Sequence, residues 1–201
     1  LDTLIVFLHI PREILTRGKK HKARTALYKE MPLVSILVPG KNEGKHIPML
    51  AESLQQQTYK NFELIVIDDG SDDDTKIICR ELERKSKIDK FIHQDIRGGK
   101  AAAANTALCY AKGKYIVHID ADSHLVNDSL EKILVPFYLD DRIGAVGGDV
   151  RVANTFKSMA TRMQSIEYAK SISVGRTVTS MLGILRIISG AHGAFRHDIL
   201  K

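Results

Sequence analysis

Two aspartates that follow a short apolar run are the residues in this sequence best suited to chemistry. Asp120 and Asp122 come at the end of the run 115–119, which is typical of a buried strand. Because side chains alternate along a strand, we expect the two carboxylates to point the same way. Carboxylates aligned in this way can hold a hard divalent cation. Aspartate is also common in the polar loops that follow strands, so a purely structural role stays open for this pair.

Further charged groups follow the other predicted strands. Glu43 comes after the first of them, and Asp68 and Asp69 come after the second. Lys100 follows the third, in a glycine-rich turn. The carboxyl ends of parallel strands share one edge of a sheet, and ligands bind at that edge. A cation held by Asp122 would stabilise a leaving diphosphate, while Lys100 would add a positive charge near the phosphates. Together these groups predict a site for a nucleotide diphosphate with a metal.

The elements that must position these groups alternate between strand and helix. Apolar runs predict strands over residues 33–38, 62–67, 90–94, 115–119 and 143–152. Helical spacing of apolar residues predicts helices over 47–54, 75–82, 101–112 and 129–139. In the second of these helices we expect Ile77 to face inward and Ser71 with Asp74 to form a capping box. This alternation predicts an α/β fold, a three-layer sandwich with a mostly parallel central sheet.

Composition excludes several classes of function. The 201 residues suit one domain, and a net charge of +6 permits an anionic ligand or membrane surface without requiring nucleic acid. Trp is absent and aromatic residues make up only 6%, so nucleobases could not be stacked in series and no nucleic-acid partner is expected. Neither a Walker A loop nor a dinucleotide-binding glycine motif is present, which argues against an ATPase and a nicotinamide enzyme.

The two ends of the chain carry features that suggest a membrane. Residues 1–31 combine a short apolar stub with a dense run of basic residues, so we expect a linker that is either membrane-proximal or a solvated basic arm. Because the first residue is Leu1, we expect this sequence to be part of a longer chain. Residues 155–186 predict a helix that either packs on the sheet or lies on a membrane surface.

Four motifs resemble family 2 glycosyltransferases of the GT-A fold, in order and at the spacing of that family. They are Val38–Glu43, Ile67–Thr75, Gly99–Asn105 and Ile119–Ser123. Three later segments resemble the processive membrane synthases of hyaluronan, chitin, cellulose and poly-N-acetylglucosamine. They are Gly147–Val152, Gln164–Tyr168 and Ser189–Arg196.

The resemblance implies an activity and its surroundings. Residues 32–201 would form the GT-A domain of an inverting enzyme that transfers a hexose or N-acetylhexosamine from a UDP-sugar to a growing β-linked polysaccharide. The implied cofactor is Mg²⁺ or Mn²⁺. The implied partners are the UDP-sugar, the polysaccharide acceptor and the membrane, with the parent protein multi-pass and its domain at the cytoplasmic face of the cell membrane.

The resemblance also implies roles for individual residues. Asp69, together with Asp68, would contact uracil, and Lys100 would lie near the donor phosphates. Asp120 would touch ribose or sugar, and Asp122 would bind the metal, so these two are the candidate catalytic residues. Further nucleotide contacts are implied for Pro39, Lys41, Glu43 and Asn105. The residues implied to border the donor sugar and acceptor are Asp149, Arg151, Gly190, His192 and Gly193.

Catalysis requires one more group. An inverting transfer needs a general base to take the proton of the attacking hydroxyl. Relatives supply it in a motif that does not appear before Lys201, so we expect the base beyond that residue and this fragment to be inactive alone. Two alternatives stay open at this point: a sugar nucleotidyltransferase, and a non-catalytic module that binds a membrane or partner through residues 155–186 and the basic arm.

Overall fold

The computed structural model describes residues 17–150, 163, 188 and 191–200. Its strands are β1 (Val34–Gly40), β2 (Phe62–Asp69), β3 (Lys90–Gln94), β4 (Tyr115–Ile119), β5 (Ala145–Gly147) and β6 (His192–Arg196). Its helices are α1 (residues 17–30), α2 (Ile47–Gln55), α3 (Thr75–Arg84), α4 (Lys100–Leu108) and α5 (Ser129–Leu134). Two 3₁₀ turns cover Val135–Tyr138 and His197–Ile199.

The six strands form one sheet in the order β3-β2-β1-β4-β6-β5. β1 pairs in parallel with β2 and β4, and β2 pairs in parallel with β3. β6 runs antiparallel to both of its neighbours, β4 and β5. The predicted α/β architecture with a mostly parallel central sheet is therefore confirmed. The predicted strand 143–152 is shorter than expected, since only Ala145–Gly147 pairs among its described residues.

Helices cover both faces of the sheet because the central strands are apolar on both faces. On one face, α4 places Ala103 and Ala107 against residues such as Ile65. These small side chains let the helix lie close to the strands. On the other face, α1, α2, α3 and α5 contribute to a larger core that includes Leu54 and Leu130. The result is the three-layer sandwich that the sequence predicts.

Residues 17–30, which the sequence analysis includes in the basic segment 1–31, form helix α1. Ala23 and Leu27 are four residues apart, so they share one face of the helix, and both are buried. Leu27 belongs to the larger core. Within residues 17–30, Ala23 and Leu27 are the only buried apolar residues. Two such positions among many basic residues are too few to give a recognisable helical pattern in the sequence.

A buried glutamate of α5 fixes α1 against the domain. Glu131 is only 8% exposed, and its two carboxylate oxygens accept from Tyr28 Oη at 2.7 Å and from Arg24 Nε at 2.8 Å. These partners offset the cost of burying a charged carboxylate. The contact therefore joins the basic helix to the folded core.

We expect the Tyr28→Phe variant to be less stable than the parent by about 1 kcal/mol, because Glu131 then loses one donor but keeps Arg24. Urea unfolding followed by circular dichroism measures the change. The matched control is Tyr110→Phe, in which the ring is partly exposed and lies over Lys90. A Tyr28→Phe variant as stable as this control would contradict the proposed anchoring.

Three local predictions differ from the structure. Ile77 is 68% exposed, because α3 turns Thr75 and Cys79 inward instead. The expected capping box is absent, since Asp74 makes no side-chain cap and Ser71 bonds Asp68. Helix α4 ends at Leu108 rather than at residue 112. The kink or break that the sequence predicts at Pro136 in the helix 129–139 is present, because α5 ends at Leu134 and a 3₁₀ turn follows over Val135–Tyr138.

Predictions for residues 155–186 lie outside the described residues, apart from the isolated position 163. Within the part of the chain that the structure describes, no helix has the length and apolar character needed to cross a bilayer.

Candidate functional site

A cleft opens where the strand order reverses between β1 and β4. The chain leaves β1 toward β2 and β3 on one side, while β4 lies on the other, which is where ligands bind in open α/β sheets. The cleft has a volume of about 230 Å³. Its lining residues are Pro39, Gly40, Lys41, Glu43, Asp69, Arg97, Lys100, Asp120, Ala121 and Asp122. Loops that follow four different strands thus meet in one cavity.

Asp69 is held in the cleft by the glycine turn that precedes α4. Its Oδ1 accepts the Gly98 N–H at 2.7 Å, and its Oδ2 accepts the Gly99 N–H at 2.8 Å. Gly99 has φ of +88°, a conformation that favours glycine. A side chain at Gly98 would lie 2.9 Å from Ala102 Cβ. Each carboxylate oxygen keeps a second lone pair, so Asp69 can still accept from a ligand.

Lys100 and Asp120 form an ion pair in the same cleft. Lys100 Nζ lies 2.5 Å from Asp120 Oδ1, and about half of the lysine side chain is exposed. The pair joins the first turn of α4 to the end of β4 and leaves the ammonium group accessible. Asp122 is exposed two residues further on. Positive and negative groups thus lie side by side in the cleft.

The loop after β1 forms the third wall through Lys41 and Glu43. Lys41 Nζ lies 3.6 Å from Asp72 Oδ2 in the loop after β2. The pKa of Asp72 is lowered, chiefly by its hydrogen bonding with Asn42, then by its own backbone N–H and by the charge of Lys41. Glu43 Oε2 lies 2.7 Å from His46 Nδ1. These contacts tie the loop to its neighbours.

The structure places Asp68 away from the cleft. Because side chains alternate along β2, Asp69 faces the cleft and Asp68 faces the opposite way, where it is 1% exposed. Asn105 is exposed on α4 and does not line the cavity either. The nucleotide roles implied for these two residues remain predictions.

The residues implied to border the acceptor are only partly described. Arg151 and Gly190 lie outside the described residues, and neither Asp149 nor Gly193 lines the cavity. His192 begins β6 beside Ile119 and is buried against Gly148, whose added Cβ would lie 2.1 Å from its Nδ1. Burial lowers the pKa of His192, and its Nε2 has no hydrogen-bond partner among the described residues.

Arg97 is the charged residue of the cleft that the sequence predictions missed. It follows β3 by three residues, so its position at the carboxyl edge of the sheet was the available signal. It lies in the same loop as the glycines that hold Asp69. With Lys41 and Lys100, it gives the cleft three basic side chains suited to an anion.

The acidic groups of the cleft suit a hard divalent cation. Mg²⁺ is usually held by one or two carboxylates together with phosphate oxygens of the substrate, and Asp120 and Asp122 supply such carboxylates. The described residues contain no cluster of three acidic, His or Cys ligands that would hold a metal by themselves. Two carboxylates are a donor set that would suit a cation shared with a diphosphate.

The chain is similar in sequence to known glycosyltransferases. The model of the family described as glycosyl transferase family 2 matches residues 35–201. The chain is 30% identical over 168 residues to the poly-beta-1,6-N-acetyl-D-glucosamine synthase of Staphylococcus epidermidis, covering 84% of this chain and 40% of that protein. It is also 30% identical over 186 residues to the beta-monoglucosyldiacylglycerol synthase of Nostoc sp., covering 90% and 39% respectively. The chain spans about two fifths of the length of these relatives.

A solved structure shares the fold. The mannosyltransferase PcManGT from Pyrobaculum calidifontis, solved in complex with GDP-Man and Mn²⁺, aligns with a TM-score of 0.67 and 23% identity. The alignment covers 100% of this chain and 57% of that one.

Proposed function

The chain belongs to glycosyl transferase family 2, as its motifs predicted, and from this premise we propose that it forms the donor-binding part of an inverting enzyme. The proposed donor is a UDP-sugar with Mg²⁺ or Mn²⁺, and the transferred group is a hexose or N-acetylhexosamine. The proposed acceptor is a growing β-linked polysaccharide, at the cytoplasmic face of the cell membrane. The observation that carries this proposal is the meeting of Asp69, Lys100, Asp120 and Asp122 in one cleft.

Each of these side chains has a task that suits its surroundings. Asp69, fixed by two backbone N–H groups, accepts from the donor groups of the base. Lys100 supplies positive charge to the diphosphate, and its pairing with Asp120 orients both groups. Asp120 and Asp122 would hold the cation. When bound, the cation would neutralise charge on the leaving diphosphate.

The transfer itself replaces one bond by another. The acceptor hydroxyl oxygen attacks C1 of the donor sugar, the bond from C1 to the diphosphate breaks, and the hydroxyl proton passes to a general base. We propose that this base is supplied from outside the cleft. The cleft of this chain would then bind the donor and accept the charge of the leaving group.

Calorimetric titration of UDP into the purified chain tests the proposal. We expect saturable binding with Mn²⁺ present and at least roughly tenfold weaker binding after chelation, because the cation would link carboxylates and diphosphate. GDP is the comparison ligand for recognition of the base, and inorganic pyrophosphate is the comparison ligand for binding of the diphosphate alone. Absence of metal-dependent UDP binding would contradict the proposal. Product analysis of the full parent protein with different UDP-sugars would then identify the sugar.

The basic face of α1 supports the proposed membrane location. Residues 17–30 contain six Lys or Arg and one Glu, and Lys22 and Lys29 are both exposed. These two lysines lie seven residues apart, so they project from the same side of the helix, away from buried Leu27. A headgroup layer of anionic lipid would complement this side.

We expect the variant Lys22→Ser/Lys29→Ser to bind vesicles that contain phosphatidylglycerol roughly 30-fold more weakly than the parent, since each lysine near an anionic surface contributes about 1 kcal/mol. Cosedimentation measures the bound fraction. The matched control, Arg80→Ser/Arg84→Ser, removes the same charge from exposed positions of α3. Equal losses in both variants would show that only net charge matters and would count against α1.

A further inference from the structure

A chain of hydrogen bonds begins outside the cleft, at His93 of β3. Its Nδ1 lies 2.7 Å from Asp68 Oδ2, and its Nε2 lies 3.3 Å from Asp95 Oδ1. Because an ionised carboxylate can only accept, the His93 tautomer with a proton on Nδ1 is the one that donates a hydrogen bond to Asp68. The Asp68 side chain is fully buried, and a buried carboxylate needs such donors. His93 therefore fixes the orientation of Asp68.

Asp68 in turn fixes Ser71. Its Oδ1 accepts the Ser71 backbone N–H at 3.0 Å and also the Ser71 hydroxyl. With its proton directed at Asp68, Ser71 Oγ presents its lone pairs to the loop after β1, where it accepts the Asn42 N–H at 2.8 Å. Asn42 Oδ1 completes the connection by accepting the Asp72 N–H at 3.1 Å. The loops after β1 and β2 are thus joined.

Asn42 is the point at which this connection reaches the cleft. Its φ of +60° lies in the left-handed region, which a residue other than glycine keeps only where its surroundings fix it. Asn42 stands between Lys41 and Glu43, both of which line the cavity. The direction in which these two side chains enter the cleft therefore depends on the Asn42 turn.

We propose that His93 is a positioning residue for the ligand cleft, acting through Asp68, Ser71 and Asn42 to hold Lys41 and Glu43 in place. The two neighbouring aspartates of β2 then have different tasks: Asp69 faces the ligand, and Asp68 faces the supporting network. The identity of the ligand in this proposal, a nucleoside diphosphate with a divalent cation, rests on the proposed function.

Two substitutions of His93 test the proposal. His93→Leu removes the donor to Asp68, whereas the side-chain amide of His93→Asn keeps a donor near the Nδ1 position. In His93→Leu we expect the Asn42 amide signal in proton–nitrogen correlation spectra to move and the affinity for UDP with Mn²⁺ to fall roughly tenfold. In His93→Asn we expect both to remain close to the parent. The Lys112 amide, which donates to Glu63 at 2.8 Å near the other edge of the sheet, is the internal control.

The outcomes separate this proposal from the proposed function. If the parent chain binds no UDP, the proposed function fails. The Asn42 amide signal of the ligand-free protein then still shows whether the substitution of His93 alters the Asn42 turn. An unmoved Asn42 signal in folded His93→Leu, or a moved signal with unchanged UDP affinity, overturns the positioning role. If His93→Leu does not fold, Ser71→Ala removes the acceptor of the Asn42 N–H and is judged by the same two measurements.

Discussion

The Asp122→Asn variant is expected to fold like the parent and to bind UDP in the presence of Mn²⁺ about 100-fold more weakly. Asp122 is exposed and forms no ion pair with the described residues, so its charge contributes little to folding. An amide oxygen is a much weaker ligand for a hard cation than a carboxylate. Loss of this charge therefore removes the attraction between cation, protein and diphosphate at once. Calorimetry gives the affinity, and thermal unfolding confirms the fold.

The matched control for this substitution is Asp128→Asn. Asp128 belongs to the same loop after β4, but its carboxylate pairs with Lys132 outside the cleft. We expect this variant to bind UDP like the parent, both with Mn²⁺ and after chelation. If Asp122→Asn also retained metal-dependent binding, the cation would have to be held elsewhere, and the proposed roles of the β4 loop would be wrong.

The carboxyl ends of the strands could be predicted from sequence because local patterns determine them. The apolar runs of β1, β2 and β4 stop at polar residues, and parallel pairing brings these ends to one edge. This rule alone predicts that Asp69, Lys100 and Asp120 lie close together, and all three line the cleft. The α/β architecture follows from the alternation of strands and helices, whereas the family was predicted from the resemblance of four ordered motifs.

The face of an element on which a side chain lies was harder to predict than the element to which the residue belongs. Asp68 and Asp69 are adjacent in sequence, and only the burial of the β2 faces decides which of them enters the cleft. Ile77 has the spacing of a core residue, yet α3 turns it outward because Cys79 takes the buried position. Such choices depend on tertiary packing, which overrides local preference.

Helix α1 could not be predicted from the sequence because its buried face is small. Its packing relies on Ala23 and Leu27 and on the partners of Glu131, a residue more than a hundred positions away in sequence from Tyr28. No pattern within residues 17–30 predicts a contact with a residue so distant in sequence. Arg97 was missed for a related reason, since its place in the cleft depends on how the glycine turn before α4 wraps around Asp69.

The Asp69→Asn variant is expected to lose about 2–3 kcal/mol of stability, because a nearly buried carboxylate that accepts two backbone N–H groups is replaced by an amide with donors of its own. Asp69 is 4% exposed, so water cannot easily replace the lost acceptor. One of the Gly98 and Gly99 N–H groups would then face the amide NH₂ group, and the turn that carries Lys100 into the cleft would shift. For a chain of this size the midpoint of thermal unfolding should fall by roughly 5–10 °C.

The control is Asp89→Asn, because Asp89 Oδ2 also accepts one backbone N–H, from Leu64 at 2.7 Å, but at the other end of β2 and in an exposed position. Water can replace that acceptor, so we expect a loss of stability below about 1 kcal/mol and unchanged UDP binding. Asp69→Asn, by contrast, should lose UDP binding even at temperatures where it is fully folded. This difference would show that the same carboxylate both shapes the glycine turn and serves the ligand, whereas equal behaviour of the two variants would leave Asp69 with a structural role alone.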